Sequence, residues 1–241
     1  MSGAPPWSVG IVIPARDEEA VIDTCLHSVI AAVESAQVGA WIVVVADRCL
    51  DRTADRARRT LGDRGEVCVI DEGIVGAARR TGCALALEHF SSRSTRDIWL
   101  LSTDADSTVP AEWITVHREA ALRGAAAVAG TVSIASFGDR PTGLGALFER
   151  RYAVKVAGWH PHLHGTNLGV RADAYTAIGG WRDLATGEDH DLWAGLRAAG
   201  YPVVSTTLAP VTTSSRRRSR APDGFAAYLD ALEALPATVS S

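Results

Sequence analysis

This 241-residue chain predicts an α/β fold, a mostly parallel sheet with helices on both faces. Two observations carry that expectation. Four short runs rich in Val and Ile each close on acidic residues: Val9-Gly10-Ile11-Val12-Ile13-Pro14 before Asp17-Glu18-Glu19, Trp41 to Ala46 before Asp47, Glu66 to Ile70 before Asp71, and Leu100-Leu101-Ser102-Thr103 before Asp104-Ala105-Asp106. Such runs suit strands buried on both faces of a sheet. Between them lie stretches of helical period.

The first helix is read from Val21, Ile22, Leu26, Val29, Ile30 and Val33, which form one apolar stripe. Ala54 to Leu61 and Ala77 to Leu87 predict two more, rich in Ala. Strands alternating with helices imply right-handed crossovers, so the four strands run the same way and their acidic ends gather on one edge. In open α/β sheets that edge binds ligands. Like charges about 4 Å apart repel by roughly 4 kcal/mol at an effective dielectric near 20, so the gathered carboxylates require a cation, a proton or hydrogen-bond donors. Asp104 and Asp106, two apart on an extended backbone, point to one face and suit a divalent ion with a phosphate ester. Asp17 and Asp51 also suit helix caps, since Asp51-Arg52-Thr53 opens one.

The second half differs. A helix follows Pro110 and runs to about Arg123, and Ala125 to Ile134 predicts a strand of small residues. In Trp159-His160-Pro161-His162-Leu163-His164 the histidines alternate, which on an extended backbone puts them on one face. A zinc site and a polar or stacking role both fit, with no fourth ligand nearby. A helix begins close to Glu188, its face formed by Leu192, Trp193, Leu196 and Ala199, and Glu188, Asp189 and Asp191 fall in its first turn. N–H groups at a helix start favour an ionised carboxylate, which suits a general base or simple charge complementarity.

The net charge of −4 gives no reason to expect nucleic acid as a partner. Cys25, Cys49, Cys68 and Cys83 show no C-x-x-C spacing, so reduced, buried thiols are expected. No apolar run approaches a membrane span, and Met1 to Pro6 has no signal-like character. A cytoplasmic protein is expected.

Taken in order, Ile13-Pro14-Ala15-Arg16-Asp17-Glu18, Val45-Ala46-Asp47-Arg48-Cys49-Leu50-Asp51, Asp104-Ala105-Asp106, Gly165-Thr166-Asn167-Leu168-Gly169-Val170-Arg171, Gly179-Gly180-Trp181 and Glu188-Asp189-His190-Asp191 resemble a family 2 glycosyltransferase of the Rossmann-like GT-A fold. The resemblance covers nearly the whole chain. It implies a nucleotide-sugar donor, usually a UDP-sugar, a hydroxyl acceptor, and Mg or Mn. By that analogy Pro14, Arg16, Asp17, Glu18 and Asp47 lie around the nucleoside, with Asp47 facing the base. Asp104 approaches the ribose and Asp106 the metal. Gly165, Thr166, Asn167, Trp181 and Glu188 belong with the acceptor or sugar, and Asp189 is the base, giving inversion. One domain over 1–241 is implied: a nucleotide-sugar half at 7–106, an acceptor and catalytic half at 107–213, and a basic tail with a C-terminal helix at 214–241.

The chain departs from the family pattern at Ala46-Asp47, where many members carry two acids, and at Asp17, where many carry Asn. Pro210 to Ser215 contains no His to complete a metal shell, so Asp106 and the diphosphate are expected to hold the ion. Gly76-Ala77-Ala78-Arg79-Arg80 opens a helix whose N–H groups and Arg79 suit a diphosphate. The run Arg216-Arg217-Arg218-Ser219-Arg220 has three readings: a cover over the diphosphate, a peripheral contact with anionic lipid, or solvated surface. A sugar-phosphate nucleotidyltransferase is the rival enzyme, although no Gly-rich loop follows the first strand. A catalytically silent nucleotide-sugar-binding protein is the non-enzymatic rival.

Overall fold

The computed structural model describes residues 7–152, 160, 162–216 and 225–234. The elements are β1 (Ser8–Ala15), α1 (Ile22–Ala36), β2 (Gly39–Asp47), α2 (Thr53–Leu61), β3 (Gly65–Ile70), α3 (Val75–His89), β4 (Ile98–Ser102), α4 (Trp113–Leu122), β5 (Ala127–Ile134), α5 (Leu144–Tyr152), β6 (Leu168–Arg171), α6 (Ala172–Ala177), α7 (Glu188–Ala198), β7 (Val203–Thr213) and α8 (Phe225–Glu233). A seven-stranded sheet has the order β3-β2-β1-β4-β6-β5-β7. The four acid-ended strands pair in parallel, as their sequence predicts.

Alternate residues of the central strands feed two apolar layers, because successive strand side chains point to opposite faces. Val9, Ile11 and Ile13 pack with α1, α2 and α4 on one face; Val12, Val43 and Val45 pack with α3, α6 and α7 on the other. Helices therefore cover both faces. α1 buries Ile22, Leu26 and Val29, whereas Val21 stays exposed just outside the helix start. Ala199 likewise lies exposed beyond the end of α7, while Leu192 and Leu196 are buried. A smaller third cluster joins α5 and α8 beside Val132.

The second half departs from simple strand-helix alternation. β6 runs antiparallel to both β4 and β5, and it separates them. It is four residues long, too short for a periodic signal. Pro110 lies in the turn before α4, its carbonyl accepting from Trp113 N at 3.0 Å. No helix among the described residues is long and apolar enough to cross a membrane. Cys25 and Cys83 are buried, but Cys49 and Cys68 are only half-buried, and all four thiols are unpaired.

Candidate active site

The ends of β1, β2 and β4 open into a cavity of about 510 Å³ that is also lined by the approach to β6, the start of α7 and α8. Pro14, Arg16, Glu18, Asp47, Asp104 and Asp106 line it together with Gly165, Thr166, Glu188 and Asp189. The topology thus brings together carboxylates from four segments far apart in sequence.

Asp47, at the end of β2, is 5% exposed. Its carboxylate accepts the backbone N–H groups of Glu72 (2.9 Å), Gly73 (2.8 Å) and Ile74 (3.1 Å), which lead into α3. A carboxylate holding three N–H donors fixes the loop that leads from β3 into α3. Gly73 takes φ +69°, a left-handed conformation that glycine adopts without penalty.

Arg79 of α3 is the buried hub. Its Nε donates to Ser102 Oγ at 3.1 Å, Nη2 to Asp104 Oδ1 at 2.8 Å, and Nη1 to Glu188 Oε1. Trp181 lies 5.3 Å from the guanidinium carbon, a cation–π distance. A Cβ on Gly165 would come within 2.5 Å of this guanidinium, which explains the glycine there. Burial pushes the Glu188 carboxyl above its usual range, and Arg79 pulls it back. The arginine expected at the diphosphate is therefore first a tie between the end of β4 and the start of α7.

Asp106 and Glu18 share a second guanidinium. Arg216, just beyond β7, places Nη1 2.6 Å from Glu18 Oε1 and Nη2 3.1 Å from Asp106 Oδ2. Burial raises the Asp106 pKa to about 6; Arg216 opposes the rise, and Asp104 and Glu18 add to it. Two hard carboxylates that already hold a cation form a donor set suited to Mg or Mn. Of the three readings of the basic run, a cover over the diphosphate is the one that agrees with Arg216 lining the cavity, while Arg217, Arg218 and Arg220 lie outside the described residues.

The three acids of the first turn of α7 diverge, as successive positions about 100° apart require. Glu188 turns inward to Arg79, and Asp191 turns outward to Arg182 at 3.4 Å. Asp189 faces the cavity, its Oδ2 accepting Gly165 N–H at 3.0 Å and its Oδ1 accepting His190 N–H at 2.7 Å. Thr166 ties the approach to β6 to the loop after β4, accepting Asp104 N–H at 3.2 Å and donating to Ser107 Oγ at 3.1 Å.

Three sequence-predicted site residues lie away from the cavity. Asn167 is 1% exposed: its Oδ1 accepts from Trp113 Nε1 at 2.9 Å, and its Nδ2 donates to Thr131 O at 2.8 Å and Ala209 O at 3.2 Å. With its amide satisfied inside the protein, it joins α4, β5 and β7 rather than an acceptor. Trp181 is buried behind Arg79. Asp17 takes φ +50° and accepts Leu50 N–H at 2.6 Å, tying two loops. Asp17, Cys49 and Asp51 do place potential ligand atoms within 4.8 Å of one another. Asp51, however, accepts Thr53 N–H at 2.9 Å and Glu19 N–H at 3.0 Å, which is loop and helix-start bonding.

The alternating histidines form a stack. His162 lies on Tyr152 at 3.9 Å with 14° between the planes, and on His164 at 6.3 Å. Both ring nitrogens of His160 sit within 3.1 Å of backbone carbonyls of His162, Ala129 and Thr206. The stacking role holds, and no zinc grouping of these histidines occurs among the described residues. With Phe225 and Tyr228 of α8, Tyr152, His162 and His164 give the cavity an aromatic wall that sequence reading missed.

The family model for glycosyl transferase family 2 matches residues 10–179. The chain belongs to that family. The glycosyltransferase adopts the GT-A fold, as comparison with solved structures bears out. It aligns with S. aureus TarS 1-349 at a TM-score of 0.63 and 12% identity, covering 95% of this chain and 69% of that one. A mannosyltransferase, PcManGT from Pyrobaculum calidifontis in complex with GDP-Man and Mn2+, aligns at 0.65 and 16% identity, covering 90% and 59%, so the chain spans less than two thirds of that protein. Glucosyl-3-phosphoglycerate synthase from Mycobacterium tuberculosis, in complex with Mn2+, uridine diphosphate and phosphoglyceric acid, aligns at 0.57 and 17% identity, covering 88% and 72%. No curated protein matches the sequence significantly. Family membership sets aside the nucleotidyltransferase reading.

Proposed function

We propose that the glycosyltransferase moves a sugar from a UDP-sugar to a hydroxyl acceptor with inversion, using a divalent Mg or Mn ion. The observation that carries this reading is that the Asp104–Asp106 edge and the Asp189 carboxylate line one and the same cavity. Residues 7–106 form the donor half, 107–213 the acceptor half, and 214–241 a basic tail with a C-terminal helix. Pro14, Arg16, Glu18 and Asp47 surround the nucleoside and Asp104 approaches the ribose. Gly165, Thr166 and Glu188 form the sugar side. The unpaired thiols support a cytoplasmic setting.

Asp106, with Glu18 beside it, would hold the divalent ion, which when bound neutralises charge developing on the leaving diphosphate. Asp189 takes the proton of the acceptor hydroxyl. That oxygen attacks the anomeric carbon as the carbon–oxygen bond to phosphate breaks, and the nucleoside diphosphate leaves. The two N–H groups on Asp189 fix its orientation, which holds the base in line.

Thermal shift with UDP and GDP, each with and without Mn, tests this reading. UDP with Mn is expected to stabilise the protein more than UDP alone, because the ion takes part of its coordination from the phosphates. Equal shifts, or none with either nucleotide, would sink it.

A further inference from the structure

Arg216 combines a fixed backbone with a head group that can change partners. Its carbonyl accepts from Arg140 Nη2 at 3.1 Å, and Ser215 O accepts from Arg140 Nε at 2.7 Å. Arg140 is itself anchored by Asp230 (2.7 Å) and Glu233 (3.1 Å) of α8, and its side chain is 1% exposed. The chain at 215–216 is therefore pinned to the α5–α8 side of the cavity. The Arg216 guanidinium, by contrast, is 33% exposed and lines the cavity.

That guanidinium spans two carboxylates with side chains 7% and 11% exposed, Glu18 and Asp106, the first of them 198 positions away in sequence. A guanidinium is weakly hydrated, and its planar fork fits carboxylate and phosphate equally well. Asp106 is also the carboxylate that suits the divalent ion. An ion on Asp106 and a guanidinium 3.1 Å from Asp106 Oδ2 compete for the same side chain. Once displaced, the guanidinium remains on the cavity wall, where phosphate oxygens that arrive with the ion are its natural partners.

We propose that Arg216 is the resident counter-ion of the donor-free enzyme, that the divalent ion displaces it from Asp106 and Glu18, and that it then binds the diphosphate. This rests on the donor reading above. The exchange requires no movement of the pinned backbone, only a change of side-chain rotamer. It gives Arg216 two opposed effects: it weakens binding of the ion alone and strengthens binding of the nucleotide with the ion.

The test uses the full chain and its Arg216→Gln and Arg216→Lys variants. Free Mn is followed by electron paramagnetic resonance as Mn alone is titrated in; UDP and GDP are titrated calorimetrically at saturating Mn. Arg216→Gln is expected to bind Mn alone about tenfold more tightly and the nucleotide about tenfold more weakly, the scale of one charge-assisted hydrogen bond gained or lost. Arg216→Lys, which keeps the charge without the fork, should fall between. A merely structural ion pair would not move the two affinities in opposite directions. Unchanged or weaker Mn binding in Arg216→Gln, or unchanged nucleotide affinity at saturating Mn, would overturn the exchange while wild-type nucleotide binding leaves the donor reading standing. Absence of nucleotide binding in wild type at every Mn concentration would overturn both.

Discussion

Arg79 on α3 and Glu188 on α7, 109 positions apart, form an ion pair with side chains 4% and 7% exposed. It joins α3 to the helix that carries Asp189, the base proposed above. Breaking one partner of a buried pair leaves a charge uncompensated, at a cost of about 3–5 kcal/mol. Asp104 still faces Arg79 when Glu188 is neutral, so Glu188→Gln is expected near the lower figure. Urea denaturation measures this, and a loss no larger than that of Asp189→Asn would show that the pair does not hold α3 and α7 together.

Asp189→Asn keeps shape and retains an oxygen to accept the Gly165 N–H, yet removes the base. Turnover is expected to fall by about 10²–10⁴ with donor affinity little changed. Asp191→Asn, whose carboxylate faces Arg182, should stay near wild type. Donor hydrolysis is the readout until an acceptor is found. A larger loss in Asp191→Asn would reassign the base.

Asp47→Ala removes the acceptor shared by Glu72, Gly73 and Ile74 N–H. Hydrogen bonds to a charged group contribute about 1.5–3 kcal/mol each, and water can re-enter here, so a destabilisation of about 3 kcal/mol is expected. Amide exchange at these three positions should accelerate, and UDP binding should weaken. Unaltered exchange would mean that the loop is held by other contacts.

His117 lies 1% exposed with Nε2 3.4 Å from Asn167 Oδ1, and burial lowers its pKa to about 4. Unfolded, a histidine titrates near 6.5, so between pH 6.5 and 4 the unfolded chain takes a proton that the folded one refuses. Stability is therefore full above about pH 6.5 and falls as the pH drops. Between pH 7 and 5 this histidine alone should remove about 2 kcal/mol. Denaturation curves of His117→Gln should be correspondingly flatter with pH; an equal slope would locate the acid sensitivity elsewhere.

Local periodicity determined much of this protein. The Val- and Ile-rich runs through Ile13, Val45, Ile70 and Leu101 are strands because buried parallel strands need apolar residues on both faces, and their acids share an edge because crossovers have one hand. The inward and outward roles within Glu188-Asp189-His190-Asp191 follow from helical spacing alone once one face is buried. Tertiary structure decided what periodicity does not encode. β6 is too short to announce itself, and only its pairing with β4 and β5 reverses it in the sheet. Asn167 reads as a ligand within its motif, but burial against Trp113 and β7 makes it a joint of the core. Arg79 and Arg216 read in sequence as candidate diphosphate contacts; the ion pairs they make come from carboxylates 109 and 198 positions away. Chain folding alone sets such pairings, because an ion pair depends on distance in space and on exclusion of water, neither of which a linear neighbourhood records.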